Sequence, residues 1–151
     1  MSDGLFRLFE LHRRGFNCSQ MLIILGLEVQ DKENPDLVRS MTGLGGGLGF
    51  SGGMCGALTG GVCLLGLYAG RGAPGEHEHD RFLLMVSELA EWFSSEAGRQ
   101  YGGINCVDII GEEALAARSV NPACAGLVAG TWNKVQEILA ESGIDPAAGR
   151  G

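Results

Sequence analysis

The residues best equipped for chemistry in this chain are its five cysteines, Cys18, Cys55, Cys63, Cys106 and Cys124. A thiolate attacks disulfides and binds soft metals, so a cysteine set points to thiol redox chemistry or to metal binding. The spacing removes several alternatives. No CxxC occurs, which excludes a thioredoxin-type motif and zinc-ribbon spacing, and no CxxCH occurs for covalent haem. Met1-Ser2-Asp3-Gly4 lacks the basic start and apolar run of a secretion signal. A cytoplasmic location is therefore expected, and in that reducing compartment scattered cysteines serve catalysis or metals more often than structural disulfides.

Helix-start signals divide the cysteines four and one. Cys18 follows Asn17, Cys106 follows Asn105, Cys124 is third after Asn121 with Pro122 between, and Cys55 follows Ser51-Gly52-Gly53. Asn, Ser and Gly are favoured at the N-cap and Pro at the first helical position. These four cysteines are each expected in the first turn of a helix, with Cys63 two turns inside one. A helix N-terminus carries about half a positive charge and unpaired N–H groups, which favours thiolate and lowers the thiol pKa. Four such ends brought together would surround sulfur with N–H donors, suiting a thiolate pair or an anionic cluster. Plain packing as a small hydrophobe is the competing role, and the one expected of Cys63.

The elements that must position them read as helices throughout. Asp3 to Arg14 carries Leu5, Leu8, Phe9 and His12 on one side, with His12 expected as a satisfied core residue and Gly15 as the stop. Cys18 to about Val29 has Cys18, Met21, Leu22 and Leu25 at i, i+3, i+4 and i+7. Asn34-Pro35 opens a third helix to about Met41. A fourth spans Met54 to Gly70, and a fifth Glu76 to about Ala97 with Phe82, Val86, Leu89 and Phe93 on one face. Short helices follow at Cys106 to Ile110 and Glu112 to Arg118. Asn121-Pro122 opens the last, to about Ser142, with Leu127, Trp132, Val135 and Leu139 as core. No strand alternation of useful length is present.

Glycine is concentrated. Of 26 glycines, 14 lie between Gly43 and Gly75. The run from Gly43 to Gly53 predicts positive φ or close backbone approach. Gly52, Gly56 and Gly60 recur every four residues, with Gly53, Ala57 and Gly61 beside them, so this helix should pack very closely. The 31 residues between Arg39 and Arg71 carry no charge, yet their glycine content suits a buried central helix better than a membrane span. Gly45, Gly46, Gly47, Gly53, Gly56, Ala57 and Gly60 are candidate cofactor-binding positions, where backbone N–H groups could approach Cys55 or what it holds. No Lys follows the run as a P-loop requires, and no strand precedes it as a dinucleotide fingerprint requires.

Length and charge bound the rest. A chain of 151 residues, 45% hydrophobic, is one domain with enough apolar material for a core. Residues 1–144 are read as one all-α, compact helical bundle around the Gly-rich helix, and 145–151 as a frayed tail. A net charge of −7 without a basic run excludes nucleic-acid binding. Glu76-His77-Glu78-His79-Asp80 reads as a solvated first turn rather than a metal site, and no GxSxG elbow occurs.

Three segments together resemble the C_GCAxxG_C_C family, which is named for its cysteines and credited with redox activity on their account. They are Gly15-Phe16-Asn17-Cys18-Ser19-Gln20, Cys55-Gly56-Ala57-Leu58-Thr59-Gly60 with Gly45-Gly46-Gly47 upstream, and Tyr101-Gly102-Gly103-Ile104-Asn105-Cys106. Cys124 stands where the last family cysteine belongs, and Cys63 lies outside the pattern. A weaker similarity to the non-haem part of split-Soret cytochromes implies an iron–sulfur site, without haem.

The expected function is redox or electron-transfer chemistry at Cys18, Cys55, Cys106 and Cys124, in one of two forms. All four could ligate an iron–sulfur cluster or another thiophilic metal. Alternatively they could act as dithiol/disulfide pairs, with Cys55 as nucleophile because its surroundings are the most open. A redox partner of unspecified identity and a homodimer fit either form. The competing class is a non-catalytic module that binds a small ligand or a partner in the Gly-rich pocket.

Overall fold

The computed structural model describes residues 2–119 and 122–150, so the expected cap at Asn121 lies outside the described residues. Its helices are α1 (Ser2–Arg13), α2 (Cys18–Val29), α3 (Pro35–Ser40), α4 (Gly56–Ala69), α5 (Phe82–Tyr101), α6 (Cys106–Ala117) and α7 (Pro122–Glu141). Among the described residues there is no β-strand, only an isolated antiparallel bridge between Met54 and Asn105. None of these helices is long and apolar enough to cross a membrane.

The Gly-rich helix α4 is the centre, packed against α2, α5 and α7. Ala57, Leu58, Leu64, Leu65, Tyr68 and Ala69 are all buried along it. Its glycines allow neighbours on two flanks. A Cβ on Gly60 would stand 2.6 Å from the Cα of Ser19, so α2 lies directly on that backbone. A Cβ on Gly61 would meet Thr131 Cγ2 at 2.7 Å and Leu89 Cδ2 at 3.0 Å, from α7 and α5. The start of α2 lies by the start of α4, and Gly26 lies against Leu64 further along, so the two helices run parallel. Helix α5 runs the other way, with Phe82 opposite Gly66 and Leu89 opposite Gly61. Leu89, Phe93, Val135 and Leu139 complete the core between α5 and α7. The third glycine of the four-residue series, Gly52, precedes the helix and packs on Val107 and Leu115.

Two regions depart from the sequence reading. Helix α5 starts at Phe82 rather than Glu76, because side chains of the 70–81 segment bind their own backbone. The Glu76 carboxylate accepts from the Gly72 N–H at 2.5 Å, and His79 Nδ1 accepts from the Arg81 N–H at 3.0 Å. The His79 N–H donates to the Ala69 carbonyl at 2.8 Å, which folds this loop back on the end of α4. Residues 145–150, expected to fray, are tied to the same region. Tyr68 Oη donates to the Pro146 carbonyl at 2.9 Å. Arg150 pairs with Glu76 at 3.2 Å and donates to the Gly70 and His77 carbonyls. The apolar content of the tail gives no hint of this anchoring, which rests on single polar groups.

The glycine run forms a left-handed turn. Gly46, Gly47, Leu48, Gly49 and Phe50 have φ of 68°, 70°, 71°, 62° and 62° in succession. L-residues avoid this hand at a cost of about 1–2 kcal/mol each, which falls here on Leu48 and Phe50. Gly47 is required on a second count, since a Cβ there would stand 2.2 Å from the Gly53 carbonyl oxygen.

Candidate functional site

Cys18 is placed by the polar residues around it. Asn17 caps α2: its Oδ1 accepts from the Gln20 N–H at 3.1 Å, and Gln20 Oε1 accepts from the Asn17 N–H at 3.2 Å. This reciprocal capping box leaves both side-chain amides free to reach outward. Asn17 Nδ2 donates to the Thr42 carbonyl at 2.9 Å, and Gln20 Nε2 to Thr42 Oγ1 at 3.0 Å. Buried Ser19 donates to Asn17 Oδ1 at 2.7 Å. The segment Asn17-Cys18-Ser19-Gln20 thus locks the start of α2 to the chain leading into the glycine run.

Cys55 and Cys106 are placed together. The Cys55 N–H donates to the Ile104 carbonyl at 3.0 Å, and the Cys106 N–H to the Gly53 carbonyl at 2.6 Å. From this short bridge Cys55 becomes the N-cap of α4 and Cys106 the first residue of α6. Helix α6 is broken at Gly111, where φ is 86° and ψ 161°, which separates the two short helices read from the sequence. Cys124 occupies the first turn of α7.

All four of these cysteines line one cavity of about 800 Å³. Cys63 lies outside it and is exposed. Cys124 is the hub: it raises the pKa of Cys18, Cys55 and Cys106, and it is hydrogen-bonded to Cys18. The rest of the wall is mostly apolar, and Leu5, Leu8, Phe9 and His12 of α1 form one side of it. That stripe is the one visible in the sequence. The sequence reading misplaced its purpose: His12 lines the cavity rather than the core. Arg118 and Phe50, not singled out from the sequence, also line the cavity, with the guanidinium 5.7 Å from the ring centroid. A lone Arg after a short helix gives no signal of that kind.

Cys18, Cys55 and Cys106 are held protonated, contrary to the expectation that helix N-termini lower thiol pKa values. The bond with Cys124, and then burial, raises Cys18 well above the ordinary thiol value. Burial pushes Cys55 up to about 11, although the backbone N–H groups of Ala57 and Leu58 act against it. Burial also raises Cys106. Desolvation of a charge here exceeds what first-turn N–H groups return. Nor is Cys55 the most open of the four, being only 4% exposed while Cys18 and Cys124 are half-buried.

The candidate glycines serve mainly to shape this site. Gly46 and Gly56 line the cavity. Gly47 and Gly53 pack backbone to backbone, Gly45 fits under the Asn17 side chain, and Gly60 admits Ser19. Ala57 is buried in the core. For a metal the fit is poor: among the described residues no three Cys, His, Asp or Glu side chains are grouped closely enough to hold one, whether around the cavity or in the 76–80 segment.

Residues 16–138 match the model of a family described as "Putative redox-active protein (C_GCAxxG_C_C)". No curated protein and no solved structure is significantly similar to the chain.

Proposed function

The chain belongs to the C_GCAxxG_C_C family, and on that footing we propose that it performs dithiol–disulfide exchange inside the cavity, with Cys18 and Cys124 as the reacting pair. The observation that carries this reading is their hydrogen bond on the wall shared by all four family cysteines. The bond and burial keep the proton on Cys18, and in this reading Cys124 takes the part of the nucleophile. Cys124 thiolate attacks one sulfur of a small disulfide, forms a mixed disulfide and expels one thiolate. Cys18 then attacks the Cys124 sulfur, the second thiolate leaves, and Cys18–Cys124 is joined. The two protons given up by the cysteines end on the two released thiols. Two electrons pass from the protein to the disulfide, and the reverse sequence oxidises a dithiol. Cys55 and Cys106, more deeply buried, surround the pair and hold it in an apolar setting.

An iron–sulfur or other thiophilic metal centre is the rival use of the same four sulfurs. The described side chains would have to draw together before they could serve as ligands. One experiment separates the two. Protein purified without oxygen is analysed for iron and visible absorption, then equilibrated with glutathione disulfide and its thiols counted and mapped. The expected result is a colourless protein that loses two of its five thiols, with a peptide cross-link between Cys18 and Cys124. Stoichiometric iron whose colour is lost in Cys18→Ser, or a thiol count that glutathione disulfide leaves unchanged, would overturn the proposal.

A further inference from the structure

The cysteine cavity has a charge character unlike that of the chain around it. The protein has 18 acidic residues and a net charge of −7, yet none of the described residues lining this cavity is Asp or Glu. The charged side chain on the wall is Arg118, and His12 adds an imidazole. Arg118 has no carboxylate partner among the ion pairs of the described residues, and its contact there is the face of Phe50. A guanidinium stacked on an aromatic ring is held in place with its N–H edge still available to a carboxylate. The starts of α2, α4, α6 and α7 all reach the same wall, adding their positive ends.

The remainder is greasy. Leu5, Phe9 and Phe50 line the cavity and are also exposed, so apolar surface continues from inside to the mouth. About 800 Å³ falls in the range of pockets that bury small organic ligands, roughly 300–1,000 Å³. A cavity whose described lining is mostly apolar and free of carboxylates, with the Arg118 guanidinium on its wall, suits a molecule with an apolar body and one anionic end.

We propose that this cavity is a binding site for apolar monocarboxylates, with Arg118 receiving the carboxylate and the α1 stripe of Leu5, Leu8 and Phe9 covering the apolar body. The binding itself is independent of any redox step. Its connection to substrate rests on the dithiol reading above, under which the molecule processed would be an apolar carboxylate bearing a disulfide. The protonated state of Cys18, Cys55 and Cys106 accords with this, because neutral thiols do not repel the anion.

Calorimetric titration of the full chain with decanoate and with decanol tests the binding. Decanoate is expected to saturate one site and to bind about tenfold to a hundredfold more tightly than decanol, the range of one charge-assisted contact. Arg118→Gln should abolish that preference, and Arg118→Lys should restore part of it. Phe9→Asp, at the exposed mouth, should weaken both ligands. Absence of saturable decanoate binding, or equal affinity for decanoate and decanol in the unmodified chain, would overturn the proposal. The Cys18→Ser/Cys124→Ser double variant keeps the two readings apart. It should lose any ability to reduce lipoate, a disulfide-bearing carboxylate, while still preferring decanoate to decanol, since that preference rests on Arg118. If the unmodified protein binds decanoate but leaves lipoate untouched at every potential tried, the redox reading fails and the binding site stands.

Discussion

Cys55 and Cys106 leave the same two-residue bridge side by side, each donating its N–H across to the chain that precedes the other. Residues 51 positions apart in sequence thereby start two helices at one place. Asp108 secures the Cys106 side, where its Oδ2 accepts from the Asn105 N–H at 3.2 Å. Asp108→Ala should cost about 1 kcal/mol, the ordinary value of a helix cap. It should also speed alkylation of Cys106 in the folded protein. Denaturant unfolding together with peptide-mapped alkylation checks both, and a stability loss without faster alkylation would detach the cap from the site.

Glycine substitutions should split by surroundings. Gly60→Ala drives a methyl into the Ser19 backbone at 2.6 Å and is expected to destabilise by about 1–3 kcal/mol, the usual cost of overpacking. Gly98→Ala, in α5 with nothing within 4 Å, should stabilise by about 0.5–1 kcal/mol through helix propensity. Urea midpoints of the two variants should therefore move in opposite directions. A midpoint for Gly60→Ala that stays level or rises would mean that α2 and α4 are not in the contact described.

Raised thiol pKa values fix the direction of the alkaline response. Cys55 releases its proton at about pH 11 when folded, against an ordinary 9.0 when unfolded. Its contribution to stability is complete below about pH 9 and is lost as pH rises through 11, by roughly 2–3 kcal/mol. Cys18 and Cys106 are shifted the same way and add to the decline. Reduced protein should show falling urea midpoints from pH 8.5 to 10.5, with a shallower slope in Cys55→Ala. At pH 8, Cys55 should react with iodoacetamide about a hundredfold more slowly than a free thiol, as thiolate fraction dictates.

The left-handed turn makes a further pair of variants informative. Leu48 has φ of 71° and is 59% exposed, so Leu48→Gly removes backbone strain and loses little packing. It should stabilise by up to about 1 kcal/mol. Gly47→Ala, aimed at the Gly53 carbonyl, should instead disrupt the turn and raise alkylation of Cys55 and Cys106 together. Thermal melts and thiol mapping of the two variants provide the check.

Helices, caps and the small-residue packing of α4 were legible in the sequence because each rests on neighbours within a few residues. Asn17 and Asn105 announce helix starts that the structure contains where expected. The meeting of Cys18, Cys55, Cys106 and Cys124 was not legible from spacing, since it depends on how α2, α4 and α7 align. The α1 stripe illustrates the same limit: periodicity marked Leu5, Leu8, Phe9 and His12 as one apolar face without distinguishing a core from a cavity wall. Thiol acidity was misjudged for a related reason. The first-turn N–H groups are a local property, and the burial that outweighs them is a property of the whole fold.

The parallel course of α2, α4 and α7 has an effect beyond the cavity they begin at. In an up-and-down bundle neighbouring peptide dipoles cancel, whereas here those of α2, α4 and α7 add and, of the helices packed on α4, only α5 opposes them. Their carbonyl ends gather at the opposite pole, where Tyr68 Oη reaches the Gly26 and Pro146 carbonyls. The molecule should therefore carry an electric moment along its long helices, superimposed on its overall negative charge. An approaching anion is drawn towards the cysteine end, and its own field turns the protein to present that end before contact.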